Sequence, residues 1–235
     1  MTLLDTFDTL NRIAFAIFIA GWASYSWLAD YSPLSRNGLT ARMNHERAQW
    51  MRTLLGRDLR MIDTAIMAGL QQGTAFFASS CIFAIGGCFA LMGSAEQIAV
   101  IARDLPVSGL DDRGLVEAKL LGLMVIFALA FFKFGWAYRL FNYCTILIGA
   151  IPMRSEAEAD PDAAERALAR AARMNIIAGR HFNSGLRTVF FGVAYLGWFL
   201  GPVVLILTTA GLAFILYRRQ FRSDARQALG EREAA

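Results

Sequence analysis

Residues 115–152, LVEAKLLGLMVIFALAFFKFGWAYRLFNYCTILIGAIP, form a 38-residue apolar run that ends at Pro152. A helix rises about 1.5 Å per residue, so the run exceeds what the roughly 30 Å hydrocarbon core of a bilayer requires. It encloses Lys133 and Arg139. Charge at membrane depth is costly, and it faces a bundle interior, a wet cavity or the headgroups. A chain organised around such a segment reads as an all-α polytopic membrane protein whose other spans pack around it.

Composition agrees. The chain is 56% hydrophobic and only 18% charged, and the charge avoids the apolar runs. A soluble domain carries about a quarter charged residues. The basic residues are almost all arginine and lie mostly in connecting segments. Positive segments flanking membrane spans account for that pattern, so no nucleic-acid partner is expected. Cys81, Cys88 and Cys144 fall inside apolar runs without a CxxC pair, which suits small apolar fillers. Asp5 and Asp8 stand where a signal peptide carries basic residues, so the first apolar run is expected to be retained as a span.

Four spans are expected, at about 13–29, 64–92, 117–151 and 189–217. Trp27 and Tyr31 mark one interface at the end of the first. Residues 40–62 read as an amphipathic helix, either lying in the headgroup layer on anionic lipid or extending the next span into solvent. Gln71 and Gln72 are costly in lipid and are expected at the interface or against another helix. Residues 93–114, broken by Pro106 and Gly109, read as a compact loop. Asp160-Pro161 caps an alanine-rich, solvent-exposed helix within the polar segment 153–188. Gly201-Pro202 is expected to kink the last span, and 218–235 is a charged tail.

Orientation is contested. The connections at 30–62 and 153–187 carry six arginines each and the tail five. Four spans place the two connections on one, cytoplasmic side and the tail opposite, N-out and C-out, against its own charge. A fifth, re-entrant element in the long central run would resolve the conflict.

Three places could carry chemistry. Arg139, Asn142 and Tyr143 share a helical face, while Lys133 lies about 240° around from Arg139. They line a path for an anion, a lipid headgroup or a quinone-like carbonyl, or the span ends near Phe132 and both cations snorkel to the headgroups. The stretch Arg180-His181-Phe182-Asn183-Ser184-Gly185-Leu186-Arg187 stands before the last span. His181 and His45 lie far apart without metal-ligand spacing, so neither a metal nor any other cofactor is expected. Asp63 follows Arg57, Asp58 and Arg60, and pairs either with Arg139 or Arg187 across the bundle or in a solvated surface ion pair.

The segments RDLRMIDTAIMAGLQQGTAFFASSCIF (57–83), FKFGWAYRLFNYCTILIGAIP (132–152) and RHFNSGLRTVFFGVAYLGWFLGP (180–202) resemble the bacterial and plant integral membrane proteins grouped as domain of unknown function 599. The resemblance covers most of 45–217 and implies a four-span helical membrane protein. It supplies no activity. Residues matching its motifs include Asp63, Phe77, Lys133, Arg139, Asn142, Tyr143, Asn183, Gly185, Arg187, Trp198 and Pro202.

The expected function is that of a non-enzymatic protein of the bacterial inner membrane. It would be an accessory or scaffold subunit of a membrane complex, or a homo-oligomer, with membrane lipid and other membrane subunits as partners. The alternative is a small transporter or channel for an anion or amphiphile, lined by the basic segment 133–143. Lys133, Arg139, Asn142, Tyr143, Asp63, Asn183 and Arg187 are the candidate polar intramembrane or interface residues.

Overall fold

The computed structural model describes residues 9–57, 59–94, 96–97 and 113–229. Regular structure among them is entirely helical: α1 (Thr9–Asp30), α2 (Leu39–Thr53), α3 (Met61–Met92), α4 (Arg113–Gly149), α5 (Pro161–Tyr195) and α6 (Pro202–Phe221). Short helical turns at Pro33–Asn37, Leu54–Gly56, Arg154–Ala159, Gly197–Leu200 and Asp224–Ala228 join or follow them. Among the described residues, four helices are long and apolar enough to cross a membrane: α1, α3, α4 and the segment Pro202–Ala228 that contains α6. The protein is an all-α polytopic bundle. Large apolar side chains such as Phe76, Phe83, Phe89, Val125, Phe132, Leu207 and Phe214 point outward, as a lipid-facing surface demands.

Contacts along the helices fix their directions. From α3 to α4, Arg60 meets Ile151, Gln71 meets Asn142 and Phe77 stacks on Phe134, so the two run antiparallel. The Arg60 guanidinium donates to the carbonyls of Ile148, Ile151 and Pro152 at 3.2, 2.7 and 2.7 Å, satisfying acceptors that the end of α4 leaves open. From α4 to α5, Cys144 meets Ala171, Phe134 meets Phe182 and Lys133 meets Thr188, and Lys119 meets Trp198 in the turn beyond α5, again antiparallel. A Cβ on Gly185 would lie 2.7–2.9 Å from the Phe134 ring, so this pair packs as closely as it does because position 185 has no side chain.

Several sequence expectations are corrected. The central run is one unbroken helix through Lys133 and Arg139 to Gly149, with no break at Phe132 and no re-entrant piece within 113–149. The amphipathic helix stops at Thr53, and a tight turn and extended Arg57 separate it from α3. The alanine-rich helix after Asp160 is not solvent-exposed. Asp160 does cap it, accepting from the Ala163 amide at 2.9 Å, but Ala164, Ala167, Leu168, Ala171 and Ala178 are buried, several of them against the end of α4. Alanine covers little area, and its small size lets helices approach closely. The loop at 93–114 lies largely outside the described residues.

The largest correction concerns 189–217. It is not a kinked span but the turn of a helical hairpin. α5 runs on to Tyr195, and Gly201 adopts φ 139°, ψ 163°. Pro202 then starts α6, which folds back so that the Thr208 hydroxyl donates to the Ala194 carbonyl at 2.8 Å. The second half of α5 therefore lies at the depth of the four apolar helices, between α1, α4 and α6. It meets α1 at Asp30 through Arg187, and just beyond its end Trp198 of the Gly197–Leu200 turn donates to Asn11.

The hairpin bears on the expected orientation, because it returns α6 toward α2. The end of α6 and the tail come back to the α2 side, where Gln220 bonds Thr40, Arg42 donates to the Arg226 carbonyl and Arg226 donates to the Asn37 carbonyl. Both arginine-rich connections and the described tail thus share one end of the bundle. The central run itself holds no re-entrant piece, and the reversal lies between α5 and α6.

Candidate functional site

The residues singled out in the sequence separate into four places. Arg139 and Tyr143 lie on an outer face of α4, where Arg139 Nε donates to the Tyr143 hydroxyl at 2.6 Å and the guanidinium stacks over Trp136 and Tyr143. This is the geometry of an interfacial anchor, in which a cation and aromatic rings share one surface. Asn142 faces α3 instead and accepts from Gln71 at 2.7 Å; Thr145 accepts from the same amide at 3.0 Å. That triad satisfies the glutamine that lipid would leave unpaired. The segment 133–143 therefore does not line one path.

Asp63 is fully buried, and its partners are local: Arg57 and the Trp50 indole, which donates at 2.7 Å. It pairs with neither Arg139 nor Arg187, and it is not a solvated surface pair. Its second oxygen, Oδ2, has no hydrogen-bond partner among the described residues.

Asn183 and Arg187 come together with groups the sequence scattered. Arg180, Asn183 and Arg187 fall at i, i+3 and i+7 and so share a face of α5. That face opens on a cleft of about 310 Å³ where α1 ends, α2 begins and α6 ends. Arg47 from α2 and Arg219 from α6 complete a ring of four arginines. Tyr25, Thr40 and Gln220 add polar atoms, and Leu39, Met43, Leu186, Phe190 and Leu216 form apolar wall. Asp30 is the one carboxylate among the lining residues.

The four cations are not equivalent. Arg187 and Asp30 form a two-pronged pair at 3.2 and 2.5 Å, with side chains 10% and 25% exposed, so each neutralises the other. Lys133 sits beside them, donating to the Thr188 hydroxyl at 2.7 Å under the Trp22 ring. Arg47 donates to the Asn175 carbonyl at 2.9 Å and its side-chain oxygen at 2.7 Å, both neutral acceptors. A Cβ at Gly179 would come within 2.3 Å of that guanidinium, so the glycine lets it lie against α5. Burial lowers the Arg47 pKa from the usual arginine value, yet a guanidinium remains charged in any working range. Arg180 and Arg219 are exposed and have no hydrogen-bond or ion-pair partner among the described residues.

Positive charge therefore outweighs negative charge here, and two forked donors stand open. Such a fork matches the planar or tetrahedral oxygens of carboxylates and phosphates. No cluster of three metal-ligating residues occurs among the described residues. Sequence reading found Arg180, Asn183 and Arg187 as one stretch. Arg47, Arg219 and Asp30 carried no local signal, because tertiary packing alone brings them there. Neither the curated proteins nor the solved structures hold a significant match to this chain. The family model described as "Protein of unknown function, DUF599" matches residues 13–225, and the chain belongs to that family.

Proposed function

We propose that the protein is a non-enzymatic integral membrane protein of the bacterial inner membrane that holds an anionic group in the arginine cleft at its cytoplasmic end. One observation carries this reading. Arg180 and Arg219 converge from two helices on a cleft whose single carboxylate is already taken by Arg187. The cytoplasmic assignment follows from the gathering of both arginine-rich connections and the described tail at that end. The reading keeps the anion of the transporter alternative and moves it from the outer face of α4 to the meeting of α1, α2, α5 and α6.

The test is native mass spectrometry of the protein purified in mild detergent. Wild type is expected to retain an anionic ligand, and the double variant Arg180→Gln, Arg219→Gln to lose it, with affinity falling about tenfold or more because two charge-assisted contacts disappear. Neither arginine has a partner to strand among the described residues, so the variant should melt like wild type. Equal retention by both proteins would overturn the proposal.

Assembly is the second reading, favoured by α3. That helix packs on α4 and leaves most of its remaining surface open, including Gly69 and Gly73, where an added Cβ would meet nothing within 4 Å. A helix of a second copy, or of another membrane subunit, can approach such a face closely. An accessory or scaffold role through α3 is compatible with a ligand in the cleft.

A further inference from the structure

The arginine cleft has a neighbour of opposite character. An open, mainly apolar groove of about 780 Å³ runs along the seam of α1 and α6, lined by Gly21, Ser24, Tyr25 and Leu28 on one side and Ala213 and Tyr217 on the other. Gly21, Ser24, Tyr25 and Leu28 follow the i, i+3, i+4, i+7 pattern of one helical face. Tyr25 lines both spaces, and Leu216 and Tyr217 are adjacent on α6, one in each. From the Leu28 level the groove extends about 10 Å along α1, away from the arginines and toward the bilayer interior. It narrows where Gly21 meets Thr209, whose methyl would lie 3.0 Å from an added Cβ.

Resting on the anion-binding reading, we infer that the ligand is a glycerophospholipid bearing an anionic phosphate headgroup, with its phosphate between Arg180 and Arg219 and one acyl chain in the α1–α6 groove. Charge complementarity selects the head. The guanidinium forks suit a phosphate, whereas a choline cation would meet like charge. Continuity selects the chain: an apolar groove at membrane depth, beginning at the wall of the charged cleft, places a lipid tail where its head is already held. A small hydrophilic anion would use the cleft and leave the groove idle.

The experiment compares three probes on the full chain in detergent by titration calorimetry: dioctanoyl phosphatidic acid, dioctanoyl phosphatidylcholine and glycerol 3-phosphate. Wild type is expected to bind the phosphatidic acid most tightly. Filling the groove with Ala213→Trp should weaken it about tenfold, since a few methylenes lose their apolar contact, while glycerol 3-phosphate binding stays unchanged. Ser24→Trp fills the groove from the facing helix and should do the same, so a folding defect in one variant does not decide the matter. If both groove variants bind phosphatidic acid like wild type while Arg180→Gln, Arg219→Gln does not, the chain placement is wrong and the anion site stands. If the arginine variant also binds normally, both readings fall. Equal affinity for phosphatidylcholine and phosphatidic acid overturns the charge selection.

Discussion

Replacing Arg57 by Gln will destabilise the protein by about 3–5 kcal/mol, and adding Asp63→Asn will recover much of that loss. The asymmetry follows from burial. Asp63 is 0% exposed while the Arg57 side chain is 32% exposed, so water can solvate the arginine but not the carboxylate. Removing Arg57 strands a buried charge whose other oxygen already has no hydrogen-bond partner among the described residues. Removing Asp63 alone is milder, because Arg57 turns to solvent and the Trp50 indole can still donate to an Asn oxygen. For a chain of this size each kcal/mol moves the melting midpoint by about 2–4 °C, so Arg57→Gln should melt roughly 10 °C below wild type in detergent. A midpoint unchanged in Arg57→Gln, or lower still in the double variant, would contradict a buried pair at the entry to α3.

Gly201→Ala is the second large effect, with an expected cost of about 1–3 kcal/mol. At φ 139°, ψ 163° the backbone occupies a region that L side chains rarely adopt. Any Cβ therefore strains the turn that reverses α5 into α6, and the Thr208–Ala194 contact beyond it loosens. Gly211→Ala is the matched control. It lies inside α6 with open space around its Cα, so the same substitution should stabilise by about 0.5–1 kcal/mol through helix propensity. Thermal melts of the two variants should move in opposite directions. Parallel shifts would mean that position 201 is ordinary helix and that 189–217 is a kinked span after all.

The sequence was most legible where physics is local. Unbroken apolar runs marked α1, α3 and α4 closely, because lipid leaves long helices little alternative. Asp160-Pro161 announced the start of α5, since a cap needs only its own next turn. The second half of α5 escaped because Arg180 and Arg187 lower its hydropathy, yet both are accommodated by placement: one faces the cleft and the other finds Asp30. Asn175, fully buried, is likewise satisfied by Arg47 from a different helix. Gly201-Pro202 suits either a kink or a reversal, and the choice lies in the contact between Thr208 and Ala194, which no local pattern contains. For the site, the helical face of Arg180, Asn183 and Arg187 was readable, whereas Arg47, Arg219 and Asp30 join it only once the bundle closes.

The central claim is that the arginine cleft holds an anionic headgroup, and its most direct test is an experimental structure in nanodiscs containing phosphatidic acid. The account predicts headgroup density between the guanidinium groups of Arg180 and Arg219, with the Asp30–Arg187 pair intact behind it. A cleft holding only water, with Arg180 and Arg219 turned outward and anionic lipid bound elsewhere on the protein, would contradict it.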